Sequence, residues 1–127
     1  MNVYDYAHSL AKALKLSSEY TDFKRCQEKL EKDQSAKEML ADFRKSQLEL
    51  QKQKISGLEV APEQEKRLAQ RWEIINLNLI VKEYLEAEYR FSVLLTDVQK
   101  IIGEALSEIL PQQVPDQFSF QENEDLP

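Results

Sequence analysis

Cysteine occurs once in the 127 residues, at Cys26, and histidine once, at His8. A single thiol excludes a disulfide within the chain, and with one imidazole it leaves too few ligands for a zinc knot. A ferritin-like di-metal centre needs two Glu-x-x-His pairs, and one histidine cannot supply them. A Cys–His nucleophile would require residues 8 and 26 to meet and the thiol to be activated, and no feature of the sequence argues for either. Asp5 and His8 share one helical turn, but a solvated polar face is the reading their surroundings favour. No catalytic residue, cofactor site or metal site is assigned.

Glycine is nearly missing, with two residues, and proline occurs four times, three of them at positions 111, 115 and 127. Chain breakers are therefore scarce before residue 111, while Glu, Lys, Gln, Leu and Ala favour helix almost throughout. The composition, 42% hydrophobic and 31% charged, suits a soluble helical domain. No sheet is expected.

A basic excess is absent too. Of the net charge of −6, the segment from Gln112 to Pro127 carries −4 (Asp116, Glu122, Glu124, Asp125, with no Lys or Arg), which leaves −2 for the remainder. A duplex-binding surface normally declares itself through such an excess, because its affinity comes from neutralised phosphates and released counterions, so no DNA partner is expected. Long apolar runs are lacking as well. The most hydrophobic stretch, "IINLNLIV", is interrupted by Asn76 and Asn78 and falls far short of the ~20 residues a spanning helix requires. The N-terminus, "MNVYDYAHSLAK", has no basic segment ahead of an apolar core. A cytoplasmic protein without membrane insertion is the expectation.

The residues present are organised as helices. Val3, Ala7, Leu10 and Leu14 recur at helical spacing, predicting a first helix over Val3–Leu16. Ser17 or Ser18 offers an N-cap for a second helix that turns Tyr20, Phe23, Cys26 and Leu30 inward and ends near Asp33. Asp33 or Ser35 restarts a long third helix carrying Ala36, Leu40, Phe43, Gln47 and Leu50 on one stripe, stopped by Gly57 in a left-handed conformation. Pro62 then suits a first helical turn, with Glu63 and Glu65 near the positive helix end. Leu68, Trp72, Ile75 and Leu79 form the next stripe. Uninterrupted, Glu63 to Leu110 would extend ~70 Å, so a break is expected near Asn76–Asn78, followed by a final helix to about Leu110. Residues 112–127 lose periodicity and gain acid, proline and glutamine. They read as a mobile acidic tail with an adhesive spot at Phe118 and Phe120.

The final helix carries the widest stripe. Leu77, Val81, Tyr84, Glu88, Phe91, Leu95, Val98 and Ile102 alternate by four and three, and Ala87, Leu94 and Ile101 broaden the face. That face exceeds what one neighbour covers in so small a chain, and the reading is a homodimer with these residues at the interface. Glu88 is the polar exception. A carboxylate among apolar neighbours is either paired or at the stripe's edge. A second reading places single-stranded RNA on a basic tip near Gly57, formed by Lys52, Lys54, Lys66, Arg67 and Arg71 with Trp72 for stacking. Glu49, Glu59, Glu63 and Glu65 are interleaved with these cations, which favours a solvated, salt-bridged surface instead.

The segments "SSEYTDFKRCQEKLEKDQSAKEMLADFRKSQLELQKQKISG" and "VKEYLEAEYRFSVLLTDVQKIIGEAL" resemble the YlbF/YmcA family of small bacterial helical proteins, most nearly its YheA-like branch. The likeness rests on the order of a short acid-rich helix, a D-x-S-A-K restart, an F-R-x-x-Q-x-x-L-Q run, a terminal Gly, and E-A-E opening a Leu/Ile-rich helix. It implies an all-α, bundle-like, often dimeric protein of a Gram-positive cytoplasm. Relatives of that kind are regulatory adaptors affecting competence, biofilm formation, sporulation and messenger-RNA processing. Some complex-forming members carry cysteines near the chain end linked to an iron–sulfur cluster, and here that region has none. The expectation is therefore a single helical domain over residues 1–110, built of four to five helices with a long C-terminal one. It carries a flexible tail over 111–127, and it works through itself and other proteins rather than by catalysis.

Overall fold

The computed structural model describes residues 1–110; the expected mobile tail lies outside the described residues. Five α-helices and no strand occur among them: α1 (Val3–Leu16), α2 (Ser18–Lys32), α3 (Gln34–Ile55), α4 (Pro62–Ile75) and α5 (Leu79–Ala105). The all-α expectation holds, and most boundaries follow from named caps.

Asn2 and Asp5 close a reciprocal capping box on α1, with Asp5 N donating to Asn2 Oδ1 at 3.0 Å and Asn2 N to Asp5 Oδ2 at 3.1 Å. Asp5 is thus occupied by the helix start rather than paired with His8. Ser17 serves two helices at once. Its hydroxyl donates to Leu14 O at the end of α1 and accepts from Tyr20 N at the start of α2. Asp33 Oδ1 accepts from Ala36 N at 3.0 Å and starts α3.

At the end of α3, Leu58 N donates to Gln53 O and Gly57 N to Lys54 O, the two bonds of a Schellman motif. Gly57 sits at φ +78°, the left-handed conformation that motif demands. Pro62 opens α4, where its missing N–H costs nothing, and Ala61 N donates to Gln64 Oε1.

The expected break at Asn76–Asn78 is made by two amides with opposite duties. Asn76 Nδ2 donates to Trp72 O, which also accepts from Asn76 N, at the end of α4, and Asn78 Oδ1 accepts from Val81 N at the start of α5. Regular helix stops at Ala105 rather than near Leu110. Beyond it the chain tightens into turns, with Ser107 N bonding Glu104 O and Ile109 N bonding Leu106 O. Pro111 disfavours helical backbone at Leu110, and the poor helix former Gly103 sits just upstream.

The described residues pack as two units, Met1–Cys26 with the residues from Glu86 onward, and Gln27–Leu85. The dividing positions fall inside α2 and inside α5. The Gln27–Leu85 unit is built on α3 packed against α4. Leu30, Ala36, Leu40, Phe43, Leu68, Ile75, Val81, Tyr84 and Leu85 are buried there, and Phe43 meets Trp72 with ring centroids 5.4 Å apart. Arg44 lies over the Tyr84 ring at 5.8 Å, and Lys29 pairs with Glu83 at 4.0 Å. In the other unit Phe91 receives Tyr20 edge-on at 5.7 Å and Phe23 at 5.8 Å, and Cys26 and Ala87 are its buried residues.

Candidate functional site

The predicted interface stripe divides by position. Val81 and Tyr84 are buried in the Gln27–Leu85 unit, where they serve its own core. Leu77 lies in the turn before α5 rather than on the helix, and its side chain is 85% exposed. Glu88, Phe91, Leu95 and Val98 are half-buried in the other unit, and Ile102 is exposed. Glu88 is not without an interaction partner.

Sequence reasoning overlooked α1 as a surface. None of its residues is buried, although Val3, Tyr4, Tyr6, Leu10 and Leu14 with three alanines occupy about half of its circumference. Tyr4 is 75% exposed and Tyr6, Leu10 and Leu16 are also open. The signal was present in the width of that arc, which Tyr4 and Tyr6 extend beyond the Val3–Ala7–Leu10–Leu14 line. At the C-terminal end of α5 Ile101 is 67% exposed and Ile102 is open, and Leu106 and Ile109 continue the exposed apolar stretch beyond the helix. Gln99, on the same stretch, holds a buried side-chain oxygen with no donor among the described residues.

The basic tip is partly neutralised. Lys54 pairs with Glu65 at 3.5 Å, and Arg71 donates to the Ser46 hydroxyl through a short hydrogen bond. Lys52, Lys66 and Arg67 are exposed. Trp72 stacks on Phe43 and is half-buried, so its ring is held by the core of its unit. Between α3 and α4 lies an open cleft of about 500 Å³ with Phe43, Ile75 and Arg71 among its walls, and a neighbouring recess of about 240 Å³ shares Ser46, Glu49 and Arg71. Ser46, on the wall of both, is engaged by the Arg71 guanidinium. Among the described residues no three His, Cys, Asp or Glu side chains gather where they could hold a metal ion. No helix among them is long and apolar enough to cross a membrane.

Residues 3–107 match the family model described as control of competence regulator ComK, YlbF/YmcA. The chain belongs to the YlbF/YmcA family. Its YlbF/YmcA relatives include a UPF0342 protein of Symbiobacterium thermophilum, 45% identical over 109 residues that cover 86% of this chain and 97% of the relative. Another, from Caldicellulosiruptor saccharolyticus, is 46% identical over 105 residues, covering 83% and 88%. Among solved structures, a protein of unknown function (DUF964) from Bacillus stearothermophilus superposes with a TM-score of 0.74 at 23% identity, over 84% of this chain and 94% of that one, and shares the fold. The resemblance to the YlbF/YmcA family is therefore confirmed along nearly the whole described chain.

Proposed function

We propose that this YlbF/YmcA protein is a non-enzymatic, cytoplasmic regulatory adaptor that works as a homodimer and docks on other proteins. The observation that carries the reading is the apolar surface of the unit formed by residues 1–26 and the chain from Glu86. That unit leaves large aliphatic and aromatic side chains uncovered while the other unit closes its core. Exposed apolar surface of that extent marks an interaction site. The family description, control of the competence regulator ComK, points the same way, towards regulation through protein contacts. Affinity capture from native cytosol, quantified by mass spectrometry against a charge-bearing variant of that surface, tests it. The wild-type chain should retain specific proteins that the variant loses, and reproducible capture of none would refute the adaptor role.

RNA binding at Lys52, Lys54, Lys66, Arg67 and Arg71 is the competing reading. The Lys54–Glu65 pair and the interleaved acids weigh against it, because neighbouring carboxylates cancel the field that phosphates would sense. A titration with single-stranded RNA in low salt should show no salt-dependent affinity. Affinity that falls steeply with salt and disappears in Lys52→Glu/Lys66→Glu would reverse the ranking.

A further inference from the structure

We infer that the homodimer interface is built from α1 and the C-terminal part of α5, packed against the same two helices of a second copy, with Leu10 and Ile102 among its central contacts. The inference rests on the homodimer reading above and gives it a location that differs from the full stripe of α5.

Three observations carry it. First, α1 is 14 residues long and buries none of them. A helix shorter than ~12–15 residues is marginal in water, and in proteins its stability comes mainly from packing an amphipathic face. The Asn2–Asp5 capping box and Ser17 satisfy backbone groups at its two ends but bury no apolar surface, so the apolar half of α1 requires a cover that the described residues do not provide.

Second, the amount of surface fits a copy of the chain. With ~150–250 Å² for a large side chain, the exposed apolar residues of α1 and of the stretch from Ile101 onward present on the order of 1,000 Å². That exceeds the roughly 300–600 Å² of the largest patch on a typical monomer and matches the ~800 Å² each partner contributes to a standard interface. The segment from Gln112 to Pro127 offers four large apolar side chains, Val114, Phe118, Phe120 and Leu126, and a charge of −4 against the ten exposed apolar residues of that surface, which a second copy matches more closely.

Third, both segments present exposed aliphatic side chains, to which α1 adds Tyr4 and Tyr6, with Asp5, His8, Lys12 and Lys15 on the opposite side of α1. A patch that is self-complementary in this way closes under two-fold symmetry and leaves no repeating edge.

The test is the mass of the full chain in solution, by light scattering after size exclusion, together with its dissociation constant by sedimentation. The wild-type chain should run at twice its single-chain mass. Leu10→Glu and Ile102→Glu should each weaken self-association at least 100-fold, whereas Leu77→Glu, at a more exposed position in the other unit, should leave it unchanged. Hydrogen exchange of the wild-type chain supplies a second readout that does not depend on the folding of a charged variant. Amides of α1 should be protected at concentrations above the dissociation constant and lose that protection on dilution below it. A wild-type dimer whose α1 exchange ignores concentration, or whose mass survives both glutamates, overturns the interface and leaves the homodimer standing. A wild-type chain of single-chain mass overturns both. If that monomer instead begins to dimerise in Phe118→Ser/Phe120→Ser, the C-terminal segment is the occupant and the inference is equally overturned.

Discussion

The Gln27–Leu85 unit and the unit of residues 1–26 with the chain from Glu86 are made of the same material, amphipathic helices with apolar residues at spacings of three and four. They reach opposite ends. In the first, Ala36, Leu40 and Phe43 of α3 meet Leu68 and Ile75 of α4 among the buried residues. In the second, α1 carries an apolar arc of similar quality and buries nothing, and Phe91 is half-covered by Tyr20 and Phe23. Periodicity thus identifies which face of a helix avoids water and says nothing about who covers it. Where the cover is the chain itself, stability is a property of one molecule. Where it is another molecule, stability becomes a function of concentration.

The largest expected effect breaks the closed unit. Phe43 is 3% exposed and stacked on Trp72, so Phe43→Ala removes a filled volume that the surrounding α3 and α4 side chains cannot close. A loss of about 3–5 kcal/mol is expected in denaturant unfolding, independent of protein concentration. Phe91→Ala is the matched experiment in the open unit. It should cost less at low concentration, and its cost should grow as the chain self-associates. Equal, concentration-independent losses at both positions would erase the distinction between the units.

Next in size is the junction that sets the phase of α5. Asn78 Oδ1 caps α5 by accepting from Val81 N, and Asn78→Ala should cost about 1 kcal/mol in thermal or denaturant unfolding. An unchanged midpoint would mean that water replaces the cap without loss. Gly57→Ala should fall in the same range, about 1 kcal/mol, and for a different reason. An added Cβ meets nothing within 4 Å, so the whole cost is the left-handed backbone at φ +78°. Its measurement isolates conformational strain from packing, and a cost near zero would show that the turn relaxes.

These junctions are also where the sequence was most informative. Gly57, Pro62, Asp33 and the Asn76–Asn78 pair act locally, through the hydrogen bonds of their own turn, so residue type and position sufficed to place four of the five helices within a residue or two. The departures come from non-local causes. Leu79 continues the Leu68–Trp72–Ile75 spacing but is exposed, because the break at Asn76–Asn78 resets the helical phase and Leu79 begins α5 instead of extending α4. Leu77 is displaced from the α5 stripe by the same break. Val81 and Tyr84 share one line with Phe91 and Val98, yet burial separates them, since what packs on each turn of a long helix is decided by other parts of the chain. The stripe was therefore legible as a surface, and its division into a core and an interaction face was not.

The smallest expected effect lies at Gln99, and it bears most directly on whether the open unit is covered by a second copy. Its Oε1 is buried without a donor among the described residues, on a stretch of α5 that also exposes Ile101 and Ile102. In a lone chain that acceptor is a liability, because a buried polar atom loses its water and gains nothing in return. Gln99→Leu keeps the approximate volume and removes the unmet demand, so stability measured at low concentration should be unchanged or higher by up to about 1 kcal/mol. If the dimer brings a donor to this amide, the same substitution will cost stability in the associated state and weaken self-association. Measuring Gln99→Leu unfolding on both sides of the dissociation constant distinguishes the two. A gain below it that turns into a loss above it would place Gln99 at the interface, while the same sign at both concentrations would assign the orphaned oxygen to the interior of the single chain.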